Sequence, residues 1–185
     1  MLYYTLSRVD QPILVVGDSL TEASTLPRSL CGHSIVNAGL NGASTKSDLG
    51  SWLIDVLDGK RAAGIVVALG TNDALLGHSA EAFAAGYTAL LDEFAKVTDH
   101  LAVLGIPAIE MRRRMTAELR DEAMRRVEAF NAMLPGLAAK SGASFVALPV
   151  MPAPYSIDGV HLDAAGYAVW DAAVLKGASS ACSPQ

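Results

Sequence analysis

The chain has 185 residues, 51% apolar and 18% charged, with 19 acidic against 14 basic side chains and a formal net charge of -5. That balance fits one folded domain with a sizeable core and excludes a disordered protein. It gives no long-range attraction to nucleic acid or to an anionic membrane, and no apolar run reaches the roughly 18 residues of a membrane span. Met1 to Gln11 lacks the basic start and long apolar run of a secretory signal, which favours a cytoplasmic location over a periplasmic or secreted one, the alternative.

Tyr3 and Tyr4 are candidates for a lead-in packed across a sheet. The first clear element is Ile13 to Val16, too short for a helix and apolar throughout, as a strand buried on both faces requires. It stops at Gly17-Asp18-Ser19, where a glycine permits a sharp turn and a hydroxyl follows at once. Leu20 to Cys31, with Pro27 and small polar residues, reads as a short helix or a loop crossing. Ser34 to Ala38 is the second strand. A helix over Ser44 to Leu57 follows, with Leu49, Trp52, Leu53 and Val56 on one face and Gly59 as its stop.

Ala63 to Leu69 supplies a third strand, and a helix over Ala80 to Val97 turns Phe83, Tyr87, Leu90, Leu91 and Phe94 toward the core. His100 to Gly105 is the fourth strand, closed by Pro107. Arg112-Arg113-Arg114 reads as a solvated loop or helix entry, with a substrate or partner contact as the alternative. The helix that follows toward Lys140 carries Leu119, Met124, Val127, Phe130, Leu134 and Leu137 inward, and Pro135 is expected to bend or interrupt it. Ser144 to Leu148 is a fifth strand, Pro149 to Tyr155 a stiff loop, and the last helix starts at an Asp163 cap and runs through Tyr167, Trp170 and Val174.

Strands alternating with helices require a three-layer α/β/α domain, here over residues 1–178 with a mostly five-stranded parallel sheet. Residues 179–185 read as a flexible tail. Cys31 and Cys182 make no disulfide framework: the first reads as a small buried or half-buried residue, the second as part of the polar tail.

In such a sheet, loops distant in sequence meet above the carboxyl edge of the strands. The candidates are Gly17-Asp18-Ser19, Asn37-Ala38-Gly39, Gly70-Thr71-Asn72-Asp73 and Asp158-Gly159-Val160-His161. A neutral His161 can take the proton of Ser19 Oγ, and Asp158, three positions earlier, can fix its tautomer. The Ser19 and Gly39 backbone N–H groups and the Asn72 amide can receive charge on a carbonyl oxygen. Taken singly, each motif has a plainer reading: Asp-x-x-His as a turn or part of a metal site, Asn72 as a helix cap, Gly39 as a tight turn. His33, His78 and His100 lack an obvious acidic and nucleophilic counterpart. No metal-ligand spacing, dinucleotide or nucleoside-triphosphate fingerprint, or GxSxG elbow is present, so neither metal nor organic cofactor is expected.

Taken together and in order, GDSL at Gly17 to Leu20, Asn37 to Gly42, GTND at Gly70 to Asp73 and DGVHL at Asp158 to Leu162 resemble the SGNH superfamily of GDSL-type esterases and lipases. The resemblance implies a flavodoxin-like fold, Ser19 as nucleophile, His161 as base and then acid, and Asp158 as its orienting partner. It also implies an oxyanion hole from Ser19, Gly39 and Asn72. The implied substrate is a small acyl ester. A short-acyl esterase, including a sugar O-acetyl esterase, is preferred over a lysophospholipase or acyl-thioesterase using the same triad. A noncatalytic carbohydrate- or ligand-binding protein and a phosphate-binding flavodoxin-like protein are the other readings. The loops at Leu40 to Ser47, Leu75 to His78, Ile106 to Met115 and Val150 to Ile157 are expected to shape the pocket. Leu75, Leu76, Ile109, Met111, Met151 and Tyr155 are its apolar candidates, and a monomer suffices for the site.

Overall fold

Strands β1 (Ile13–Gly17), β2 (Ser29–Leu30), β3 (His33–Gly39), β4 (Gly64–Ala68), β5 (Leu101–Leu104) and β6 (Ser144–Val146) form one sheet in the order β2-β3-β1-β4-β5-β6. The computed structural model describes residues 2–110 and 115–182. Every pairing is parallel except that of β2 with β3. The five expected strands are present, and β2 makes the sheet six-stranded and mixed. Its two residues, Ser29 and Leu30, carry no apolar run that would mark them as a strand.

The helices are α1 (Leu2–Leu6), α2 (Ser19–Glu22), α3 (Leu49–Leu57), α4 (Thr71–Leu75), α5 (Ala80–Phe94), α6 (Ala117–Lys140) and α7 (Ala164–Ala178). Alternation along the central strands assigns them to layers, since successive side chains point to opposite faces. Leu14 and Val16 of β1 join Ile65, Val67 and Val103 under α3, α5 and α6. Ile13 and Val15 join Val66, Ala102 and Leu104 under α7, where Trp170 and Val174 are buried. The expected α5 stripe is core, and its Phe83 stacks on Phe130 of α6 with ring centroids 4.0 Å apart. The chain passes from β1 outward to β3 and then returns across β1 to β4. This reversal opens a crevice over the carboxyl ends of β1 and β4.

Several local expectations change. Residues 2–6 form a helix and leave Tyr3 and Tyr4 exposed, with the Arg8 guanidinium 4.1 Å over the Tyr4 ring. α6 continues through Pro135, and Leu119, expected inward, is exposed in the helix's first turn. Ser179–Cys182 is a 3-10 turn with Ala181 buried, where a loose tail is expected. Cys182 closes a disulfide with Cys31 at the β2–β3 turn, their Cα atoms 5.5 Å apart across a sequence separation of 151. That separation hides the pair from any local spacing rule. The Arg112-Arg114 run and Met111 lie outside the described residues.

Candidate active site

Strand register brings three of the four motifs together. Gly17 lies opposite Gly39 of β3 and Ala68 of β4, so the segments beginning at Asp18, Leu40 and Gly70 leave the sheet side by side. No side chain fits at Gly17: a Cβ there would lie 2.0 Å from Thr21 Oγ1 and 2.5 Å from the Ala68 carbonyl oxygen. The turn can therefore press against β4 and deliver Ser19 to the crevice. Ser19 opens α2, and Asp18 caps it by accepting the Leu20 N–H at 2.9 Å.

The fourth motif reaches the same edge from the loop after β6. Ser156 and Leu162 form an antiparallel bridge, and the Ile157 N–H donates to the His161 carbonyl at 2.8 Å, closing a turn with Gly159 at φ +96. Asp158 Oδ1 accepts the Val160 and His161 N–H groups at 3.0 and 2.9 Å, and Oδ2 accepts from His161 Nδ1 at 2.9 Å. His161 Nε2 lies 3.0 Å from Ser19 Oγ. Ser19, His161 and Asp158 thus form one continuous hydrogen-bonded chain.

Burial pushes the Asp158 carboxyl upward, but hydrogen bonds from the His161 ring and from the His161 and Val160 N–H groups outweigh it and hold the pKa at about 2. An ionised carboxylate only accepts, so His161 carries its proton on Nδ1 and turns the Nε2 lone pair toward the Ser19 hydroxyl. The arrangement can deprotonate a serine as it attacks a carbonyl and then protonate a departing alkoxide. The His161 side chain is 38% exposed, so water and substrate reach it.

Asn72 lies in α4, just after Gly70, whose φ is +132 and where a Cβ would come within 2.3 Å of Ile106 Cδ1. One amide N–H of Asn72 donates to the Ala43 carbonyl at 2.9 Å, and the other has no partner among the described residues. Gly39, expected to be an oxyanion donor, sends its N–H to Asn37 Oδ1 at 2.9 Å. A Cβ at Gly39 would lie 2.2 Å from the Glu22 backbone nitrogen. Its smallness therefore serves the close approach of β3 to α2. Asn37 reinforces that approach by donating to the Thr21 carbonyl at 2.6 Å and Ser24 Oγ at 3.1 Å. Gly42, beside the Ala43 carbonyl that holds Asn72, has φ +77 and open space where a Cβ would stand.

Two buried carboxylates support this edge. Asp18 is 1% exposed, and burial pushes its pKa to about 6, opposed by the Leu20 N–H and by the nearby His161. Asp73 is fully buried and accepts from the Thr45 N–H, from Thr45 Oγ1 at 2.6 Å and from His78 Nδ1 at 2.8 Å. His78 therefore does have an acidic counterpart, five residues upstream across a helical turn. Asn37 carried a readable signal, a polar residue between Val36 and Ala38 at the carboxyl end of a strand. Asp73 was visible as the last residue of the GTND motif, with nothing to show its partners, and His78 carried no signal that separates it from an ordinary turn residue.

Of the apolar pocket candidates, Ile109, Met151 and Tyr155 are buried, while Leu76 is exposed. A cavity beside Leu20, walled by Ala68, Leu69, Thr71, Ile106 and Trp170, holds about 10 Å³, room for about one water. A larger apolar groove of about 340 Å³ runs between Ile106-Pro107, Met124 and Val127 of α6, and Met151 and Tyr155. No group of three or more His, Cys, Asp or Glu suited to a metal ion occurs among the described residues.

Curated protein sequences give no match to the chain. Among solved structures, a protein from Streptococcus pneumonia described provisionally as a platelet activating factor is 23% identical, with TM-score 0.73 over 96% of this chain and 89% of that one. The acetylxylan esterase Axe2 from Geobacillus stearothermophilus is 16% identical, with TM-score 0.70 over 91% and 94%. A member of the lipolytic G-D-S-L family from Veillonella parvula is 16% identical, with TM-score 0.72 over 89% and 96%. At these identities the likeness is one of fold. The sequence itself matches the model of the GDSL-like Lipase/Acylhydrolase family over residues 15–169, from β1 into α7. The chain belongs to that family, within the SGNH hydrolases, and its serine-histidine-aspartate chain accords with the esterase activity of the group.

Proposed function

We propose that the protein is a short-acyl carboxylesterase working through an acyl-serine intermediate. The observation that carries this reading is the continuous chain Ser19 Oγ–His161 Nε2 at 3.0 Å and His161 Nδ1–Asp158 Oδ2 at 2.9 Å. Ser19 Oγ bonds to the ester carbonyl carbon while His161 Nε2 takes its proton, and Asp158 stabilises the imidazolium without accepting that proton. Negative charge on the carbonyl oxygen is received by the Ser19 N–H, the free Asn72 amide N–H and the Gly42 N–H. Gly42 takes the place read for Gly39, whose N–H is engaged by Asn37. The imidazolium returns the proton to the alkoxide as its bond to the acyl carbon breaks. Water, deprotonated by the same nitrogen, then attacks the acyl-enzyme and frees Ser19. All these groups come from one chain, so a monomer suffices, and the proton accounting calls on no cofactor.

The likeness in fold to an acetylxylan esterase makes acetylated sugars a reasonable first panel. The larger groove favours a second reading, a lysophospholipase or acyl-thioesterase that lays a chain along Ile106, Met124 and Met151. The Cys31–Cys182 disulfide supports an oxidising compartment instead of the cytoplasm.

Intact-mass analysis after exposure to a fluorophosphonate, with Ser19→Ala alongside, tests the activity. One adduct mapped to Ser19 and absent from the variant is expected, since the substitution removes the nucleophile and little volume. No adduct on folded protein would favour a binding function. A rate that rises from acetyl to long-chain esters would replace the short-acyl reading with the second.

A further inference from the structure

We infer that Glu110 is a positioning residue for the Asp158–His161 pair, its carboxylate clamping the start of the turn that carries both. The inference rests on the esterase reading above. Glu110 lies 48 residues before Asp158 and belongs to none of the sequence motifs.

One carboxylate oxygen of Glu110, Oε2, collects three donors from the catalytic loop: the Tyr155 N–H at 3.2 Å, the Ser156 N–H at 3.0 Å and the Ser156 hydroxyl. The Glu110 N–H donates to the Gly159 carbonyl at 2.8 Å, so the residue grips the turn at its start and between Asp158 and His161. Ser156 Oγ accepts the Gly159 N–H at 3.0 Å and passes the restraint inward. Asp158 and His161 lie within this laced turn and bond to each other, so the orientation of the imidazole follows the placement of the loop.

The clamp has a rigid mount. Glu110 lies six residues beyond β5, and Asn131 of α6 holds the start of that connection by accepting the Ile106 N–H at 2.8 Å and donating to the Ile106 carbonyl at 2.9 Å. Arg120 Nε donates to the Ile109 carbonyl at 3.2 Å, and the Tyr155 hydroxyl donates to the Ala108 carbonyl at 3.2 Å. Glu110 therefore links the fixed frame of β5 and α6 to a loop whose own ladder pairing is the isolated Ser156–Leu162 bridge. Loops that hold catalytic groups need such support, because a misplacement of about 1 Å can cost about 100-fold in rate.

The test uses the full chain and the acetyl ester of p-nitrophenol, with Glu110→Ala, Glu110→Gln and Asp158→Asn, singly and combined. Glu110→Ala is expected to lower kcat about 100-fold with KM within about twofold, since it disturbs the dyad and leaves the substrate's contacts in place. Glu110→Gln, which keeps an acceptor oxygen, should recover at least about tenfold of that loss. In the Asp158→Asn background, Glu110→Ala should cost less than about threefold, because no aligned pair remains to be displaced. If Glu110→Ala does not fold, Ser156→Ala carries the same test through the hydroxyl linking Glu110 to Gly159, with a fall in kcat at unchanged KM expected. Wild-type kcat in Glu110→Ala, or in Ser156→Ala where that variant decides, would overturn the inference. So would an undiminished loss in the Asp158→Asn background. A wild-type protein inert to both ester and fluorophosphonate would instead remove the esterase reading and, with it, the role given to Glu110.

Discussion

Replacing Asp18 by asparagine separates what a buried carboxyl costs the fold from what it gives the site. Burial pushes its pKa from an ordinary 3.8 to about 6, against the pull of the Leu20 N–H and of His161. The folded chain therefore holds this proton more tightly than the unfolded chain. Its contribution favours folding below about pH 4 and is lost as the pH rises toward 6, where the folded carboxyl ionises. The gap corresponds to about 3 kcal/mol. Asparagine keeps an acceptor for the Leu20 N–H and nearly the same shape, yet never ionises. Urea denaturation of both proteins between pH 4 and 7.5 should show the variant gaining relative stability through this window, by about 3 kcal/mol overall. Other ionisations cancel in the difference. Asp158, held at about 2, acts in the opposite sense: its contribution is lost as the pH falls from about 4 through 2, below the window. A stability difference that stays flat from pH 4 to 7 would refute the raised pKa of Asp18, since it would mean that the carboxyl loses its proton at the same pH in the folded and unfolded chains. Activity should move the other way, since asparagine offers no charge to a protonated His161. Each 1.4 kcal/mol of lost attraction lowers kcat about tenfold.

The disulfide should matter to stability and not to rate. It lies just before the amino end of β3, with the seven residues of that strand between it and the carboxyl edge, and the loop it closes predicts about 5 kcal/mol on the chain-entropy account. The Cys31→Ser, Cys182→Ser double variant should melt about 10 °C or more below wild type while labelling at the same rate at 25 °C, and a melting point within about 3 °C would contradict the entropy argument. Asp158→Asn, which reverses the His161 tautomer, should lower kcat about 10⁴-fold with the fold intact by circular dichroism. Asn72→Ala should lower kcat by about 10² to 10³. Its melting point should change little, because its one internal bond, to the Ala43 carbonyl, is worth about 1 kcal/mol.

The sheet was legible because its strands announce themselves. Ile13 to Val16, Ile65 to Val67 and Leu101 to Leu104 are apolar runs that only burial on both faces explains, and their alternation with amphipathic helices leaves few architectures open. Ser19, Asp158 and His161 were legible because turn residues at strand ends carried reactive groups. What escaped was set by three-dimensional neighbours. Gly39 looks the same in sequence whether its N–H faces a ligand or the Asn37 side chain one residue pair away. Cys31 and Cys182 meet only because the β2–β3 turn and the end of α7 share the amino edge of the sheet. The Asp73–His78–Thr45 cluster joins two loops that no periodicity relates.

The supporting contacts at the carboxyl edge share a physical logic. A loop above a sheet edge leaves many backbone groups without a strand partner, so its shape depends on hydrogen bonds to those groups. Asn37 ties β3 to α2, Asp73 ties the 43–48 segment to α4, Asn72 holds the Ala43 carbonyl, and Glu110 holds the catalytic turn. The core beneath rests instead on apolar packing, as at Phe83 and Phe130. Removing a partly exposed polar tie therefore frees one loop and leaves the core standing, so rate should fall well before the melting point does. Asp73 marks the boundary of that rule. It is fully buried and meets several donors, so truncating it would strand those donors out of reach of water and threaten the fold and the site together.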